Sequence, residues 1–328
     1  MTDISVTINE SAPRRQVQFS RIFRTYGTVV IFALLVIFSE TQSKAFLTEG
    51  NIMNILLQIS GIGLMSVGML FVILTGGIDL SVGSIAALGS VASALFLHKY
   101  PIFVAIPIGI GIGAVCGLIS GMLIAFLRLP AFVITLAMMT AARGYALITS
   151  NGEPIMVSRG GHALTVFGTS FTLGFPNPAI VMFAAFLIAL VVLNFTRFGR
   201  LVKAIGSNQE AVRLSGISVP LHILAVYVLS GALAALAGVL IVARSGVGSP
   251  DVGVGNELSA IAAVVIGGAS LMGGVGGAIN TFLGVMILGI IGNIMNLAGV
   301  PGYNQEVYLG VIIVIAVVIQ NASQILRR

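Results

Sequence analysis

The chain has 328 residues, of which 57% are hydrophobic and 8% charged, and its mean hydropathy is +1.10. So few charges cannot keep that much apolar surface in solution, which excludes a soluble globular protein and implies a polytopic membrane protein. The net charge of +6 comes from basic residues scattered between apolar runs, which excludes a nucleic-acid surface, and a chain without Trp or short alternating strands is not an outer-membrane barrel.

Charge-free stretches cover 50–78, 100–127, 160–196, 214–243, 258–305 and 307–326. Each reaches the roughly 20 residues that a helix needs to cross the hydrocarbon core. The reading is an all-α, polytopic membrane helical bundle with broken helices. About ten transmembrane helices are expected, near 26–40, 52–75, 80–98, 101–127, 130–149, 178–196, 219–243, 257–271, 277–298 and 306–322. Residues 1–25 form a tail, and 26–328 form one transmembrane domain whose longest inner loop is 197–218.

Arg14, Arg15, Arg21 and Arg24 precede the first apolar run, as in a secretory signal, but no small-residue cleavage pattern follows. The run therefore reads as an uncleaved span. Arg14 and Arg15 stand too far from it for a twin-arginine signal. An inside N-terminus puts eleven of the sixteen Lys and Arg residues in the cytoplasm: Arg14, Arg15, Arg21, Arg24, Arg128, Arg197, Arg200, Lys203, Arg213, Arg327 and Arg328. Lys44, Lys99, Arg159 and Arg244 fall outside, and Arg143 falls within a span. Both termini are expected on the cytoplasmic side.

Two glycine-rich breaks interrupt the apolar pattern, TGGIDLSVGS at 75–84 and IGGASLMGG at 266–274. Aligned on their paired glycines they match Gly76 with Gly267, Gly77 with Gly268, Leu80 with Leu271 and Gly83 with Gly274. Both follow spans that run inward, which suggests an internal parallel repeat about an axis along the membrane normal. Recurrent helix-capping chemistry gives the same pattern without duplication. Between the breaks, glycines 109, 113, 117 and 121 form a stripe on the fourth span that lets another helix approach closely, and the single cysteine, Cys116, reads as core packing.

The first break carries Thr75, Asp79 and Ser81. Asp79 has two readings, an ionisable group on a transport path and an N-cap for the third span that accepts from the backbone near Ser81 and Val82. Arg143 needs a partner, for which Asp79, Glu153 and Glu257 are available, and it serves either a structural ion pair or a path lining. Asn280, Asn293 and Asn296, with Thr281, offer the ninth span hydrated groups or interhelical hydrogen bonds.

In the inner loop, Ser207 with Glu210 makes a capping box and Gly216 supplies a stop, so a helix of about two turns is expected between them. Such a helix is either a solvated connector or a handle for a soluble partner. The chain has no GxxxxGK[ST] loop, HExxH pair or GxSxG elbow. Enzyme chemistry, a catalytic residue, a metal site and a cofactor of its own are therefore not expected.

Three stretches carry a family resemblance: TGGIDLSVGS at 75–84, AIGSNQEAVRLSGI at 204–217 and ELSAIAAVVIGGASLMGGVGG at 257–277. A fourth is TLAMMTAARGYAL at 135–147 followed by NGEPI at 151–155. With these the chain from residue 50 onward resembles the permease subunits of bacterial binding-protein-dependent ABC importers for monosaccharides of the ribose type. The resemblance implies that Gly206, Glu210, Ala211, Arg213 and Gly216 lie in a segment that docks into a groove of an ABC ATPase subunit, with Val212 where a second small residue is common. It further implies a second permease copy, a periplasmic sugar-binding protein, a place in the bacterial inner membrane, and ATP and magnesium held by the partner ATPase. The function it implies is inward movement of a monosaccharide by alternating access. Two alternatives are an ion-gradient-driven secondary transporter, for which Asp79 is the sole candidate coupling carboxylate, and an ABC permease for autoinducer-2 or branched-chain amino acids.

Overall fold

In hydrocarbon every backbone polar group must be satisfied inside the protein, so each long apolar run folds as a helix and irregular backbone survives only where protein covers it. The computed structural model describes residues 14–325. Its helices are α1 (Arg14–Gln42), α2 (Glu49–Leu74), α3 (Val82–Phe96), α4 (Ile102–Ala125), α5 (Ala131–Ser150), α6 (His162–Thr169), α7 (Asn177–Phe195), α8 (Arg197–Ser207), α9 (Gln209–Leu214), α10 (Val219–Ser245), α11 (Asn256–Ile266), α12 (Ala278–Leu297) and α13 (Gly302–Ile325). Four two-residue strands, β1 (Ile155–Met156), β2 (Phe171–Thr172), β3 (Phe175–Pro176) and β4 (Val247–Gly248), pair antiparallel as β1 with β4 and β2 with β3.

A helix lies on each of the ten expected spans. Six of them, α2, α4, α5, α7, α10 and α12, are long and apolar enough to cross a membrane. Helix α1 starts at Arg14, inside the segment expected as a tail, and its apolar part is Gly27–Gln42; residues 1–13, Arg327 and Arg328 lie outside the described residues. Proline and glycine set the ends. Pro101, Pro130 and Pro176 precede α4, α5 and α7, where a missing N–H is harmless. Asn151 and Gly246 close α5 and α10 in the left-handed region.

Helices α2 and α10 run through the middle. Helix α2 is enclosed by α7, α10, α11 and α12, and α10 packs along α3 and α4. The glycine stripe is the reason for the closest of these contacts. A Cβ at Gly113 would strike the Gly231 carbonyl of α10, one at Gly117 would strike the Tyr227 carbonyl, and one at Gly231 would strike the Gly113 carbonyl in return. Gly109 faces Ser93 of α3. Cys116 is buried in the same layer, as its apolar surroundings predict.

Helix α11 differs from its expectation. The span placed at 257–271 stops at Ile266, and its 11 residues cover only about 16 Å, half the hydrocarbon core. The segment that precedes it supplies the other half. Gly248 lies against Ser90 and Ala94 of α3, the Ser90 hydroxyl donates to the Ser249 carbonyl at 3.1 Å, and Gly253 abuts the Gly83 backbone. Residues 247–255 thus run back along α3 from Ala94 to Gly83, a depth of about 16 Å at 1.5 Å per residue. This re-entrant segment and α11 together replace one continuous helix.

Candidate functional site

One end of the bundle is built from α8, α9 and the two glycine breaks. Helix α8 begins where the Thr196 hydroxyl oxygen accepts from the Gly199 N–H at 3.2 Å, and Gly199 lets α8 fold back against the last turn of α7. Its Val202 and Ile205 face inward and are buried, while Arg197 and Arg200 are exposed. Phe198 stacks on His222 at 5.8 Å between ring centroids and tilts on Phe71 at 6.3 Å, tying α8 to α10 and α2.

The cap of α9 differs from the expected Ser207–Glu210 box. Ser207 still belongs to α8 and its hydroxyl donates to the Lys203 carbonyl at 3.0 Å. Asn208 is the N-cap instead, its side-chain oxygen accepting from the Ala211 N–H at 2.9 Å. An extended residue between two helices can offer its side chain to the next N–H groups, whereas one at the end of a helix cannot. Glu210 is therefore free to pair with Arg213 at 2.6 Å, the one ion pair among the described residues. The hydrogen bond from Arg213, with the charges of Arg213 and Arg128 nearby, holds the Glu210 carboxyl below its ordinary range, and the same bond raises Arg213. Gly216 ends the turn as expected, at a φ of +77° that suits glycine, with its N–H bonded to the Arg213 carbonyl at 3.0 Å. Val212 is buried with Ile205 and Val219, so the larger residue at this position anchors α9 from beneath. Gln209, Glu210, Ala211, Arg213 and Leu214 face outward, and Leu214 is 78% exposed.

The two breaks meet beneath this elbow. Helix α2 ends with Gly76 at φ +81°, the Gly76 N–H bonded to the Ile73 carbonyl at 2.9 Å and the Gly77 N–H to the Val72 carbonyl at 3.2 Å. Helix α11 ends in the same double bond, from Gly268 at φ +82° to Val265 at 2.8 Å and from Ala269 to Val264 at 3.1 Å. Both are left-handed C-terminal caps of one kind. They correct the sequence alignment by one residue: Gly76 is equivalent to Gly268 and Thr75 to Gly267. The paired glycines misled because glycine at the cap itself is optional and only the left-handed position demands it. The Gly274 N–H donates to the Leu74 carbonyl at 3.0 Å and joins the two breaks directly.

The polar residues assigned to a path are mostly engaged with the protein. Thr75 donates to the Val72 carbonyl at 2.7 Å. Asp79 is 1% exposed; its Oδ1 accepts from the Ser81 N–H at 3.0 Å and the Ser81 hydroxyl at 2.5 Å, and its Oδ2 accepts from the Ser230 hydroxyl at 2.7 Å. Asp79 thus shapes the turn before α3 and fastens it to α10, but it is not the N-cap: that position is Ser81, which makes no side-chain cap bond, and Asp79 reaches only the Ser81 backbone N–H and not that of Val82. Ser230 was missed in the sequence. Its signal is that Tyr227 and Ser230 lie three residues apart on one face of an apolar helix; the Tyr227 hydroxyl is buried beside Gly77 and has no hydrogen-bond partner among the described residues.

Arg143 takes none of the three carboxylates as an ion-pair partner. Its Nη1 donates to the Pro250 carbonyl and, at 2.8 Å, to the Val252 carbonyl, with Glu257 and Asp251 within electrostatic reach. It pins the re-entrant segment, whose irregular, turn-forming backbone leaves carbonyls that a helix would have satisfied. Replacing Arg143 with Met is expected to free residues 249–255, raising their amide exchange at least tenfold, with Lys intermediate because an ammonium cannot match the planar fork. Unchanged exchange in the Met variant would remove this role. Asn293 is buried and exchanges reciprocal amide bonds of 2.9 and 2.7 Å with Asn51 of α2, worth about 1 kcal/mol in a membrane. Asn296 accepts from Gln305 at 2.8 Å and is exposed. Asn280 is half-buried near the α11 break, and its side chain has no hydrogen-bond partner among the described residues.

The model of a family described as branched-chain amino acid transport system / permease component matches residues 51–317. The ribose import permease protein of Escherichia coli (strain K12) is 42% identical over 299 residues, 90% of this chain and 93% of its own. That of Bacillus subtilis (strain 168) is 42% identical over 310 residues, 94% of this chain and 96% of its own. The L-arabinose transport system permease protein of Escherichia coli (strain K12) is 35% identical over 329 residues, covering 100% of this chain and 99% of its own. No solved structure matches the chain.

Proposed function

The chain belongs to the branched-chain amino acid transport system / permease component family, and from that premise we propose that it is the membrane subunit of an ABC importer carrying a monosaccharide inward. The observation that carries the reading is α9, a capped helix of 6 residues held at one end of the bundle by buried Val212, with Glu210, Ala211, Arg213 and Leu214 turned outward. A solvated connector does not need an exposed leucine, a fixed ion pair and an apolar anchor together. A groove on an ATPase subunit would be filled by them.

In this reading the α8–α9 end and both termini face the cytoplasm, in keeping with the eleven of sixteen basic residues that lie on that side. The membrane is the bacterial inner membrane. The partner ATPase holds the ATP and magnesium, a second permease chain completes the path, and a periplasmic binding protein delivers the sugar. This chain supplies the element with two arrangements, and nucleotide binding in the partner biases it. The sugar class rests on the relatives named for ribose and L-arabinose, at 42% and 35% identity. The family's own description favours a second cargo class, branched-chain amino acids.

The test is to purify the tagged chain from native membranes, identify what accompanies it, and measure uptake of ribose, arabinose and leucine into vesicles. Recovery of a P-loop ATPase and ATP-dependent uptake of a pentose are expected. A chain recovered alone that takes up solute under an imposed proton or sodium gradient without ATP would replace the proposal with a secondary transporter. ATP-dependent uptake of leucine but not sugar would establish the other cargo.

A further inference from the structure

Gly206 sits at the elbow between α8 and α9, and three backbones converge on it. A Cβ there would fall on the Leu74 carbonyl oxygen, at 2.5 Å from the Gly274 nitrogen and at 3.0 Å from the Gly273 Cα. From the other side, a Cβ at Gly273 would lie 2.9 Å from both the Gly206 Cα and the Gly76 nitrogen, and one at Gly274 would strike the Ser207 hydroxyl. The Gly274 N–H to Leu74 carbonyl bond of 3.0 Å closes the cluster. The end of α2, the break after α11 and the end of α8 therefore touch backbone to backbone at Gly206, with no side chain between them to take up a displacement.

Such a contact behaves differently from side-chain packing. Side chains absorb small shifts by changing rotamer, whereas backbone atoms in van der Waals contact, one of them hydrogen-bonded, move together or separate. The contact also joins two helix interruptions: both helices end there in left-handed turns, and the chain beyond each turn is non-helical for several residues, Thr75–Ser81 after α2 and Gly267–Gly277 after α11. Asp79 lies in the first of these segments and Asn280 just beyond the second.

We infer that Gly206, Gly273 and Gly274 are positioning residues that transmit movement of the ATPase-bound α9 to both helix breaks at once, so that the chains after α2 and α11 shift as a pair. The inference rests on the importer reading. It adds that α9 does not merely dock the ATPase: the end of α8, which leads into it through Asn208, bears directly on the two places where the membrane helices are interrupted.

The experiment uses the full chain purified with its ATPase. In the unaltered complex, amide exchange is compared without nucleotide and with ADP and vanadate. Gly76, Gly77, Gly273 and Gly274 are expected to change exchange together with Gln209–Leu214, by tenfold or more. A response in α9 with the two turns unaltered overturns the inference. Gly274→Ala, outside the docking segment and directed at the Ser207 hydroxyl, provides the second reading. It is expected to retain the ATPase on purification and to hydrolyse ATP at the basal rate, while stimulation of hydrolysis by sugar-loaded binding protein falls at least tenfold. Wild-type stimulation in that variant overturns the inference, and so does loss of the ATPase from it, which would make Gly274 a docking residue. Should the variant not reach the membrane, the exchange measurement on the unaltered complex decides. Failure of the unaltered chain to retain any ATPase would instead count against the importer reading.

Discussion

Asp79→Ala should be recovered from membranes at no more than a small fraction of the wild-type amount, whereas Asp79→Asn should be recovered nearly in full. The carboxylate accepts three hydrogen bonds in a site that is 1% exposed, from the Ser81 N–H, the Ser81 hydroxyl and the Ser230 hydroxyl. Alanine leaves all three donors without their acceptor. The two hydroxyls can turn to nearby carbonyls, but the Ser81 N–H cannot, and an unsatisfied buried donor costs about 1–3 kcal/mol. Loss of the tie between the turn and α10 adds to this, against a total stability of about 5–15 kcal/mol. Asparagine keeps one oxygen for Ser81 and presents its amide to the Ser230 oxygen. Thermal unfolding in mild detergent would measure the difference. An alanine variant that melts with the wild type would show that the turn does not depend on Asp79. An asparagine variant that is stable yet wholly inactive in transport would show that the charge itself has a second task.

The glycine stripe of α4 gives the second large effect. Gly117→Val is expected to abolish recovery of folded protein, because the new side chain meets the Tyr227 carbonyl group and the Val228 Cα at 3.0 Å, which are backbone atoms and cannot swing away. Gly111, on the same helix, faces open space with no atom within 4 Å. Gly111→Ala should be tolerated, even raising the melting temperature slightly, since alanine favours a helix over glycine by about 1 kcal/mol. The pair isolates close packing from helix propensity within one helix. Equal tolerance of both substitutions, read by fluorescence-detected gel filtration after heating, would sink the account of the stripe.

The order of the helices was legible because it depends only on where charge and proline interrupt apolar runs, and those are local properties. The stripe was legible for a similar reason, since a spacing of four puts small residues on one face whatever that face meets. What failed depended on which atoms lie at hand in three dimensions. Arg143 looks in sequence like one half of an ion pair, yet its partners are the carbonyls of Pro250 and Val252, groups present in every residue and marked by no side chain. Ser230 and Asn51 are polar residues in largely apolar helices, and their meaning appears only with Asp79 and Asn293 opposite them. The two register errors have a common source. At 207–208 and at 267–268 a suitable residue type occupies two adjacent positions, and backbone conformation selects between them. Asn208 is extended while Ser207 remains helical, and Gly268 is left-handed while Gly267 is not.

The re-entrant segment bears on how the protein is made. Residues 247–255 reach mid-membrane depth without forming a helix, and α11, at 11 residues, is too short to partition into lipid alone as it leaves the ribosome. The groups that receive them, the Ser90 hydroxyl and Gly83 of α3 and the guanidinium of Arg143 on α5, belong to parts of the chain synthesised earlier. Residues 247–255 therefore meet partners already inserted there, whereas α11 packs on the earlier α2 and on the later α12 and α13. Helices α3 and α5 act as a template for the re-entrant segment, and α11 waits for α12 and α13 to complete its cover.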